Sequence, residues 1–369
     1  MVFLFAYVLM LLLPVVVFAT IILVGHRGEC FLTAKEQSIL IGVFFVAFFL
    51  LLALRAENVG VDLWNYIDKY HKIASSDFSK IWANSANVDV GYGILNKLMS
   101  MLGVNDRAFI VLIALFSTFP IAWLYMKESD NWMLTISLFI ILPIFSMCFS
   151  GLRQALAIAV VPLQFYFAKK KNIIGFLLSV LLAFSFHSTA LFMLILYPIY
   201  QISIKNIWLL GLIPFMGVMF IFNKQIYSST TRLLGGKFEE RYGSVSDTGA
   251  YTMLILFVLF AVMSFLLTDE SVMDREDFGL RNLLLVTVVL QFFAPVNSVA
   301  MRLNYYYIVF IPIAVPRMLA CHKAEFRQVA RVAEYVMIFA FLGYFLYKAY
   351  RAGDTMHVFN YQPFWRALK

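Results

Sequence analysis

Two residues suited to anion binding or proton transfer flank a pair of apolar stretches. Arg153 stands at the start of one, in Gly151-Leu152-Arg153-Gln154, and His187 ends the next, in Phe186-His187-Ser188-Thr189-Ala190. A guanidinium grips anionic oxygens with a planar fork, and an imidazole exchanges a proton near neutral pH. Arg153 and His187 are therefore the first candidates for an active site.

The spacing of these two residues predicts how they are positioned. Lys170 lies midway, 17 residues from each, within a run of three lysines. If that run is a turn between helices, each arm is about 25 Å long, which is roughly the depth of a bilayer core. The hairpin would bring Arg153 and His187 back to the same membrane face.

The composition of the chain predicts a membrane protein. Of its 369 residues, 62% are hydrophobic and only 14% are charged, too little polar surface to cover a soluble globule. We expect an all-α polytopic protein that forms a single integral-membrane domain over residues 1–369, with about twelve transmembrane helices and a range of roughly ten to fourteen. The apolar runs are 3–24, 37–54, 108–126, 132–149, 154–168, 172–187, 188–204, 206–222, 250–268, 282–299, 303–318 and 332–348.

Basic residues in the short loops predict the orientation. Thirteen lysines and arginines, among them the lysine run, Arg281 and Arg317, fall in alternate short loops, which predicts that those loops are cytoplasmic. These loops are 25–36, 127–131, 169–171, 201–206, 269–281 and 317–331. The short loops on the other face hold only Arg153 and Arg302. The net charge of +8 is then mostly cytoplasmic loop charge beside anionic lipid, and we expect the bilayer, not a nucleic acid, as its partner.

Two long loops and the tail are expected on the outer face. Loop 55–107 has helical amphipathic spacing from Leu63 to Ile73 and from Tyr92 to Leu102, which predicts short interfacial helices. Loop 223–249 is polar, and 349–369 is a C-terminal tail. Long loops in compact proteins are usually functional or disordered, so we expect both loops to cap a substrate cavity.

Several chemistries lack their sequence signals. The chain has no GxxxxGK[ST], GxGxxG, HExxH or GxSxG motif, and no Asp-x-Asp pair in the outer loops. Its cysteines, Cys30, Cys148 and Cys321, stand far apart. We therefore expect no metal and no cofactor, and a diphosphate ligand would have to be held by arginines.

A series of short motifs resembles the EpsG-like branch of the Wzy polysaccharide polymerases over most of the chain. In order, they are Arg55, Gly60-Val61-Asp62, Tyr66, Gly91-Tyr92, Gly151-Leu152-Arg153-Gln154, His187-Ser188-Thr189-Ala190 and Arg302. Two positions depart from the family pattern: Val61 replaces a threonine, and Thr189 replaces a serine. The first change removes a hydroxyl, and the second keeps one.

The resemblance implies a metal-independent integral-membrane glycosyltransferase of GT-C-like architecture, related to the O-antigen ligases. Such a polymerase transfers a glycan from undecaprenyl diphosphate to the non-reducing end of an acceptor repeat unit, itself linked to undecaprenyl diphosphate. The product is O-antigen or a capsular or exopolysaccharide. The resemblance also implies that the protein lies in the bacterial inner membrane with its active site facing the periplasm. A chain-length regulator and a flippase are the partner proteins that it implies.

The roles of the candidate residues in this transfer are a hypothesis. Charge that develops on the leaving diphosphate must be met by fixed cations. Arg153 and Arg302 are the first choices, and Arg55 and Arg241 support them. His187 or Asp62 would act as general base toward the acceptor hydroxyl. Gln154, Ser188 and Tyr66 would orient the substrate.

Each residue also has a structural interpretation. The arginines at helix ends could reach the lipid headgroups, and His187 could bond a carbonyl at its helix end. Asp62 could cap the following helix, Arg241 could be a solvated loop residue, and Gln154 could simply begin a helix.

Two other classes of protein compete with the polymerase. A flippase or transporter for lipid-linked oligosaccharides would also have many spans and a basic cavity, but the sequence shows no repeated half. A membrane O-acyltransferase would use a lone histidine in apolar surroundings, although it needs its donor from the cytoplasm, whereas His187 is predicted outside.

Overall fold

The computed structural model describes residues 2–24, 32–82, 89–234, 245, 250–297, 300–352, 354 and 356–367. Within these ranges the chain forms helices and no β-strand, with isolated bridges at Arg55–Pro363 and Thr268–His322. The predicted all-α class is confirmed. Arg241, Cys30 and most of loop 223–249 lie outside the described residues.

The chain divides into two compact units. The first unit comprises Met1–Tyr166, Ile174–Leu191 and Tyr335–Lys369, and the second comprises Phe167–Ile173 and Phe192–Glu334. Each has its own buried core.

The first unit takes eleven described helices, whole or in part, from the N-terminal half of the chain. They are α1 (Val2–Val24), α2 (Ala34–Ala53), α3 (Leu63–Ala74), α4 (Phe78–Trp82), α5 (Val90–Met101), α6 (Asp106–Glu128), α7 (Trp132–Ile141), α8 (Pro143–Ser150), α9 (Leu152–Ile158), α10 (Val161–Lys169) and α11 (Ile173–Phe186). Helix α2 packs on α1 and α6, and its Phe48 ring stacks on Phe145 of α8 with the centroids 4.9 Å apart. Aromatic residues thus build an interior here as well as apolar outer walls.

The second unit is built around one central helix. Its helices are α12 (Leu196–Gln201), α13 (Leu209–Ile221), α14 (Asn223–Leu234), α15 (Tyr251–Leu266), α16 (Arg275–Gln291), α17 (Ala300–Ile308) and α18 (Ile311–Ala320), with 3₁₀ turns at Ser188–Ile195, Asn206–Trp208 and Ala324–Phe326. Helix α16 contacts α12, α13, α15, α17 and α18. A long helix, α19 (Arg327–Arg351), and a short one, α20 (Phe364–Ala367), complete the described chain.

Long apolar helices make this a multi-pass membrane protein. Among the described residues, four are long enough to cross a bilayer: Leu4–Val24, Ala34–Ala53, Asp106–Glu128 and Ala324–Arg351. Three bent pairs raise the number to seven if each pair is one span, and shorter apolar helices cover Ile173–Phe186, Ser188–Gln201 and Tyr251–Leu266. The count of twelve stays a prediction.

The bends fall where the apolar runs are interrupted. Run 132–149 divides at Leu142, where α7 and α8 meet at 58° and Pro143 occupies the first turn of α8. Run 303–318 divides at 50°, with Pro312 in the first turn of α18. Proline lacks an N–H and cannot continue the preceding helix, which accounts for both positions. Pro214, however, lies inside α13, which continues past it.

The two helices predicted in loop 55–107 are present as α3 and α5. They do not lie apart from the bundle. Their apolar faces, including Tyr66, Tyr70 and Tyr92, form one buried cluster with Phe109 of α6 and Leu152 of α9. Loop 55–107 is therefore folded onto α6 and α9. This packing also places the polar residues of the loop beside those helices.

The interpretation of Arg281 as a cytoplasmic loop charge was wrong. Helix α16 begins at Arg275, after a capping box formed by Asp274 and Asp277, so Arg281 lies inside a helix. Its side chain is fully buried and donates to Glu270 Oε1 at 2.6 Å and to the Ile204 carbonyl. A buried, paired guanidinium organises the second unit and contributes nothing to a charged surface.

Candidate active site

The predicted hairpin forms, and its turn is the lysine run. Helix α10 ends at Lys169 and α11 begins at Ile173. Between them, Lys171 adopts a positive φ of 55°, and its N–H donates to the Ala168 carbonyl at 3.1 Å. Helices α9 and α10 lead into this turn, and α11 leads out of it. Arg153, in the first turn of α9, and His187, directly after α11, therefore stand at the ends of the hairpin that are farthest from the turn.

Asp89 lies beside both residues of the predicted pair and bonds one of them. Arg153 Nη1 donates to Asp89 Oδ2 at 2.8 Å, and His187 Nδ1 lies 3.7 Å from the same oxygen. The side chains of Arg153, His187 and Asp89 are 15%, 13% and 21% exposed. These side chains are largely buried, so charge interactions among them are stronger than in open water. Their remaining exposure still gives a ligand access to the site.

The environment of Asp89 favours its charged form. Burial by itself raises the pKa of the carboxyl, but the interaction with His187 and the positive charge of Arg153 outweigh it, and the pKa lies below its ordinary value. Asp89 is therefore an anion at neutral pH, with Arg153 as its cationic partner and His187 as its neighbour.

Sequence reasoning missed Asp89. It occupies the N-cap position of α5, directly before Val90-Gly91-Tyr92, where an aspartate normally bonds the helix N–H groups. In the structure the Asp89 side chain makes no capping bond and points instead to Arg153 and His187. The only sequence signal was an acidic residue beside Gly91-Tyr92, and capping explains such a residue equally well.

Tyr66 joins the cluster from the first loop. It is buried on α3, one turn after Asp62, and its hydroxyl interacts with the charge of Arg153. Burial raises the pKa of Tyr66, so the phenol stays protonated. Asp62 immediately precedes α3 but makes no side-chain capping bond, so the structure does not use it as the cap that its position suggested.

Gly91 allows α5 to approach α11 closely. A Cβ built at this position would lie 2.1 Å from Ser185 Oγ and 2.9 Å from the Ser185 carbonyl oxygen. Only glycine fits such a contact. Because Asp89 precedes Gly91 by two residues and His187 follows Ser185 by two, this approach fixes the distance between the two side chains.

Arg55 is turned into the protein. Arg55 is 2% exposed, and its Nη1 donates to the Phe149 carbonyl at 2.6 Å. The backbone carbonyl of Arg55 accepts a hydrogen bond from Arg107 Nη1 at 2.7 Å. Burial lowers the pKa of Arg55 to about 9, which leaves it protonated at neutral pH. In this structure Arg55 ties the loop to α8, and contact with a diphosphate stays a prediction.

The Gly60-Val61-Asp62 motif lies against the segment before Arg153. Gly60 has φ +96°, and a Cβ there would meet the Phe149 carbonyl oxygen at 2.2 Å. Val61 N–H is within 3.1 Å of both Ser150 Oγ and the Met356 carbonyl. The motif is therefore a backbone junction that joins the first loop, the end of α8 and the C-terminal tail.

The remaining candidates are placed as follows. Gln154 is buried beside Arg153, and Ser188 is exposed at the start of a 3₁₀ turn. Arg302 is exposed in the first turn of α17, in the second unit. Arg241 lies outside the described residues. Arg153, His187 and Tyr66 are thus brought together within the first unit.

A cavity of about 710 Å³ opens beside the first-loop junction. Its walls combine carboxylate, amide, guanidinium and aromatic groups, supplied by Glu57, Asn58, Asp106, Arg107 and Phe364. Mixed polar and aromatic walls suit a ligand rich in hydroxyl groups.

The arrangement can bind an anion and handle a proton at one place. The Asp89 carboxylate faces Nδ1 of His187, as the carboxylate beside a histidine base does, at 3.7 Å, which is longer than a formed hydrogen bond. Among the described residues, Arg153 Nε has no hydrogen-bond partner, so the guanidinium keeps donor capacity beyond its pair with Asp89.

Comparison with known families gives one result. The sequence model of the EpsG family matches residues 38–363, which include every motif of the first unit described above and Arg302. No curated protein and no solved structure gives a significant match.

Proposed function

Because the chain belongs to the EpsG family, we propose that it is a polymerase of lipid-linked oligosaccharide repeat units. It would transfer a glycan from undecaprenyl diphosphate to the non-reducing end of an acceptor unit at the periplasmic face of the inner membrane. The observation that carries this proposal is the convergence of Arg153, His187 and Asp89 at one half-buried site.

In the proposed reaction, the acceptor hydroxyl attacks the anomeric carbon of the donor. The bond between that carbon and the diphosphate oxygen breaks, and undecaprenyl diphosphate leaves with the bonding electrons. Arg153 binds the developing negative charge, because its fork donates to two oxygens and is already held by Asp89. This preorganisation supports catalysis since the guanidinium need not reorient when charge appears.

The acceptor proton passes to His187 in this scheme. Asp89 stabilises the resulting imidazolium, as an ion pair at a 3.7 Å separation. Asp62, one turn from Tyr66 on the loop that contacts Arg153, is the alternative base. Tyr66 positions Arg153, while Gln154 and Ser188 flank the two principal residues.

The cavity lined by Glu57, Asn58 and Phe364 would hold sugar residues of the growing glycan. It lies on the same loop as Gly60-Val61-Asp62, whose backbone leads directly to α3 and Tyr66. Arg302 and Arg241 are proposed as further diphosphate ligands, and a chain-length regulator and a flippase as partner proteins.

The test uses a strain from which the gene has been deleted. Complementation with Arg153→Lys keeps the charge and removes the fork, so we expect the long-chain polysaccharide ladder to be lost or strongly shortened, with roughly 10²-fold less transfer. Arg327→Lys, an exposed position on α19, is the matched control and should restore the ladder. Wild-type chain lengths with Arg153→Lys would refute the diphosphate role.

The same strain separates polymerase from flippase. A strain without the polymerase should still display single repeat units on its outer lipid, since flipping continues. Loss of those single units together with the ladder would instead indicate transport.

A further inference from the structure

One polar side chain of α5 is buried on the face that packs into the apolar cluster of the first unit. Asn96 stands in the middle of this helix and is completely buried, and its helix neighbours Tyr92 and Met99 belong to the cluster. A buried amide without hydrogen bonds costs free energy, and an apolar residue of the same shape would stabilise the helix more. Packing alone therefore does not explain Asn96.

Asn96 is paired in space with the tyrosine one helical turn before it. Residues four apart lie on the same face of a helix, so the Asn96 amide lies beside the phenol of Tyr92. Both side chains are completely buried, and their polar atoms have no hydrogen-bond partner among the described residues. Burial raises the pKa of Tyr92, against a smaller opposing effect of the Asn96 amide, so the phenol stays protonated.

Tyr92 stands close to the guanidinium of Arg153. The rings of Tyr92 and Tyr66 meet edge to face with their centroids 6.0 Å apart. The charge of Arg153 acts on both phenols. Asp89 accepts from Arg153 Nη1, whereas Nε is buried and has no partner in the described part of the chain. Asp89 therefore leaves part of the guanidinium unbonded, and Tyr66 and Tyr92 are polar side chains next to it.

We propose that Tyr92 and Asn96 are positioning residues that hold the guanidinium of Arg153 at the site. The inference rests on the proposed function, in which Arg153 meets the charge of the leaving group. Asn96 orients the Tyr92 phenol, and Tyr92 restrains Arg153 together with Tyr66. A guanidinium held on more than one side does not turn away as charge develops, which is the preorganisation that the transfer requires.

Substitution of Asn96 by leucine separates positioning from packing. Leucine has the same branched shape and no polar atom, so Asn96→Leu should melt at the wild-type temperature or above it. We nevertheless expect roughly tenfold less glycan transfer, with kcat reduced and the KM for the donor within about twofold of wild type. A loss of transfer that accompanies a loss of stability would reduce Asn96 to a structural role. Wild-type transfer would overturn the proposal as well.

The hydroxyl of Tyr92 has a matched control in the same cluster. Tyr70 is also buried there, but its hydroxyl donates to the Val104 carbonyl at 2.6 Å. We expect Tyr92→Phe to lower transfer about tenfold and Tyr70→Phe to stay within about twofold of wild type. In an Arg153→Lys background, Tyr92→Phe should cause no further loss, because the guanidinium that it positions is gone. Equal effects of the two tyrosine variants, or a full further loss in that background, would contradict positioning.

Hydrogen exchange at Arg153 Nε tests the restraint without glycan transfer. The full chain is labelled with isotope-enriched arginine, and the signal is assigned by its disappearance in Arg153→Lys. Because this N–H is buried, it should exchange slowly in wild type and in Tyr70→Phe, and about tenfold faster in Tyr92→Phe and Asn96→Leu. Unchanged exchange in the last two variants would overturn the proposal. Exchange can therefore support positioning while the ladder experiment refutes a polymerase, and the reverse result is equally distinct.

Discussion

At the scale of single residues, the site depends on a carboxylate that an arginine and a histidine share. Asp89 takes the bond to Arg153 at 2.8 Å and stands 3.7 Å from His187. A buried arginine without a partner is costly, so removing Asp89 affects both the position of Arg153 and the stability of the first unit. Asp89 is thus a positioning residue for the two proposed reacting groups.

Substitution of Asp89 by asparagine tests this role. Asp89→Asn keeps the shape but removes the charge, so we expect a loss of about 10-fold or more in polymer formation and a lower melting temperature. Asp77→Asn, an exposed carboxylate of the same loop, should leave both unchanged. Wild-type activity in Asp89→Asn would mean that Arg153 and His187 hold their positions without it.

The pH dependence of stability follows from the same residue. The pKa of Asp89 is lowered in the folded protein, so its ion pairs stabilise the fold above the ordinary carboxyl value of about 4 and this contribution is lost as the pH falls through the lower folded value. The melting temperatures of wild type and Asp89→Asn should therefore converge in acid. A constant difference from pH 7 to pH 3 would contradict the ion pair.

At the scale of elements, glycines set how closely the segments of the site approach. Gly60 places the first loop on the Phe149 carbonyl, and Gly91 places α5 on Ser185. Both contacts bring polar residues of loop 55–107 against the ends of membrane helices. Loop 55–107 forms one side of the site because its backbone packs directly on Phe149 and Ser185.

Gly60→Ala should destabilise the protein more than Gly103→Ala. Both glycines have positive φ, which costs a side chain about 1–2 kcal/mol, but a Cβ at Gly103 meets nothing within 4 Å. The clash with Phe149 adds about 1–3 kcal/mol at Gly60. Thermal unfolding measures the difference, and equal melting temperatures would show that the loop moves freely.

Gly91→Ala should separate Asp89 from His187 and reduce polymer formation. Ser185→Gly removes the Oγ and Cβ atoms that the new methyl group meets, so the double variant should recover part of the activity. Ser185→Gly alone is the control. A double variant as impaired as Gly91→Ala would place the cause elsewhere.

At the scale of the whole molecule, the C-terminal tail completes the first unit. Tyr7 Oη donates to the Val358 carbonyl at 2.6 Å, Gly60 N–H to His357, and Phe364 N–H to Leu54. The tail thus connects α1, the end of α2 and the first loop. It is a structural part of the first unit, although the sequence indicated only a C-terminal tail on the outer face.

A chain ending at Arg351 tests this connection. Each lost hydrogen bond contributes about 0.5–1.5 kcal/mol, so the truncated protein should melt at a lower temperature and lose polymer formation. A chain that ends at Phe364 keeps the hydrogen bonds of Val358, His357 and Phe364 and is the control. Equal behaviour of the two truncations would show that the tail only covers the surface.

Some features were predictable because they depend on local composition and period. The apolar runs determine an all-α membrane protein, amphipathic spacing predicts α3 and α5, and the equal arms about Lys170 bring Arg153 and His187 together. The order of the motifs indicated the EpsG family, which the family match confirms. Hydrophobic patterning and helix length settle these matters without reference to distant contacts.

Other features depended on contacts between distant parts of the chain. Only the tertiary structure gave Arg153 and His187 their shared carboxylate, buried Arg55 and Arg281, and divided the apolar runs at Leu142 and before Ile311. An aspartate before a helix can either cap the helix or form an ion pair with a distant residue. An arginine at the end of a membrane span can bind either lipid headgroups or backbone carbonyls. The physical reason is that such polar side chains take whichever partner the folded chain supplies, and that partner is far away in sequence.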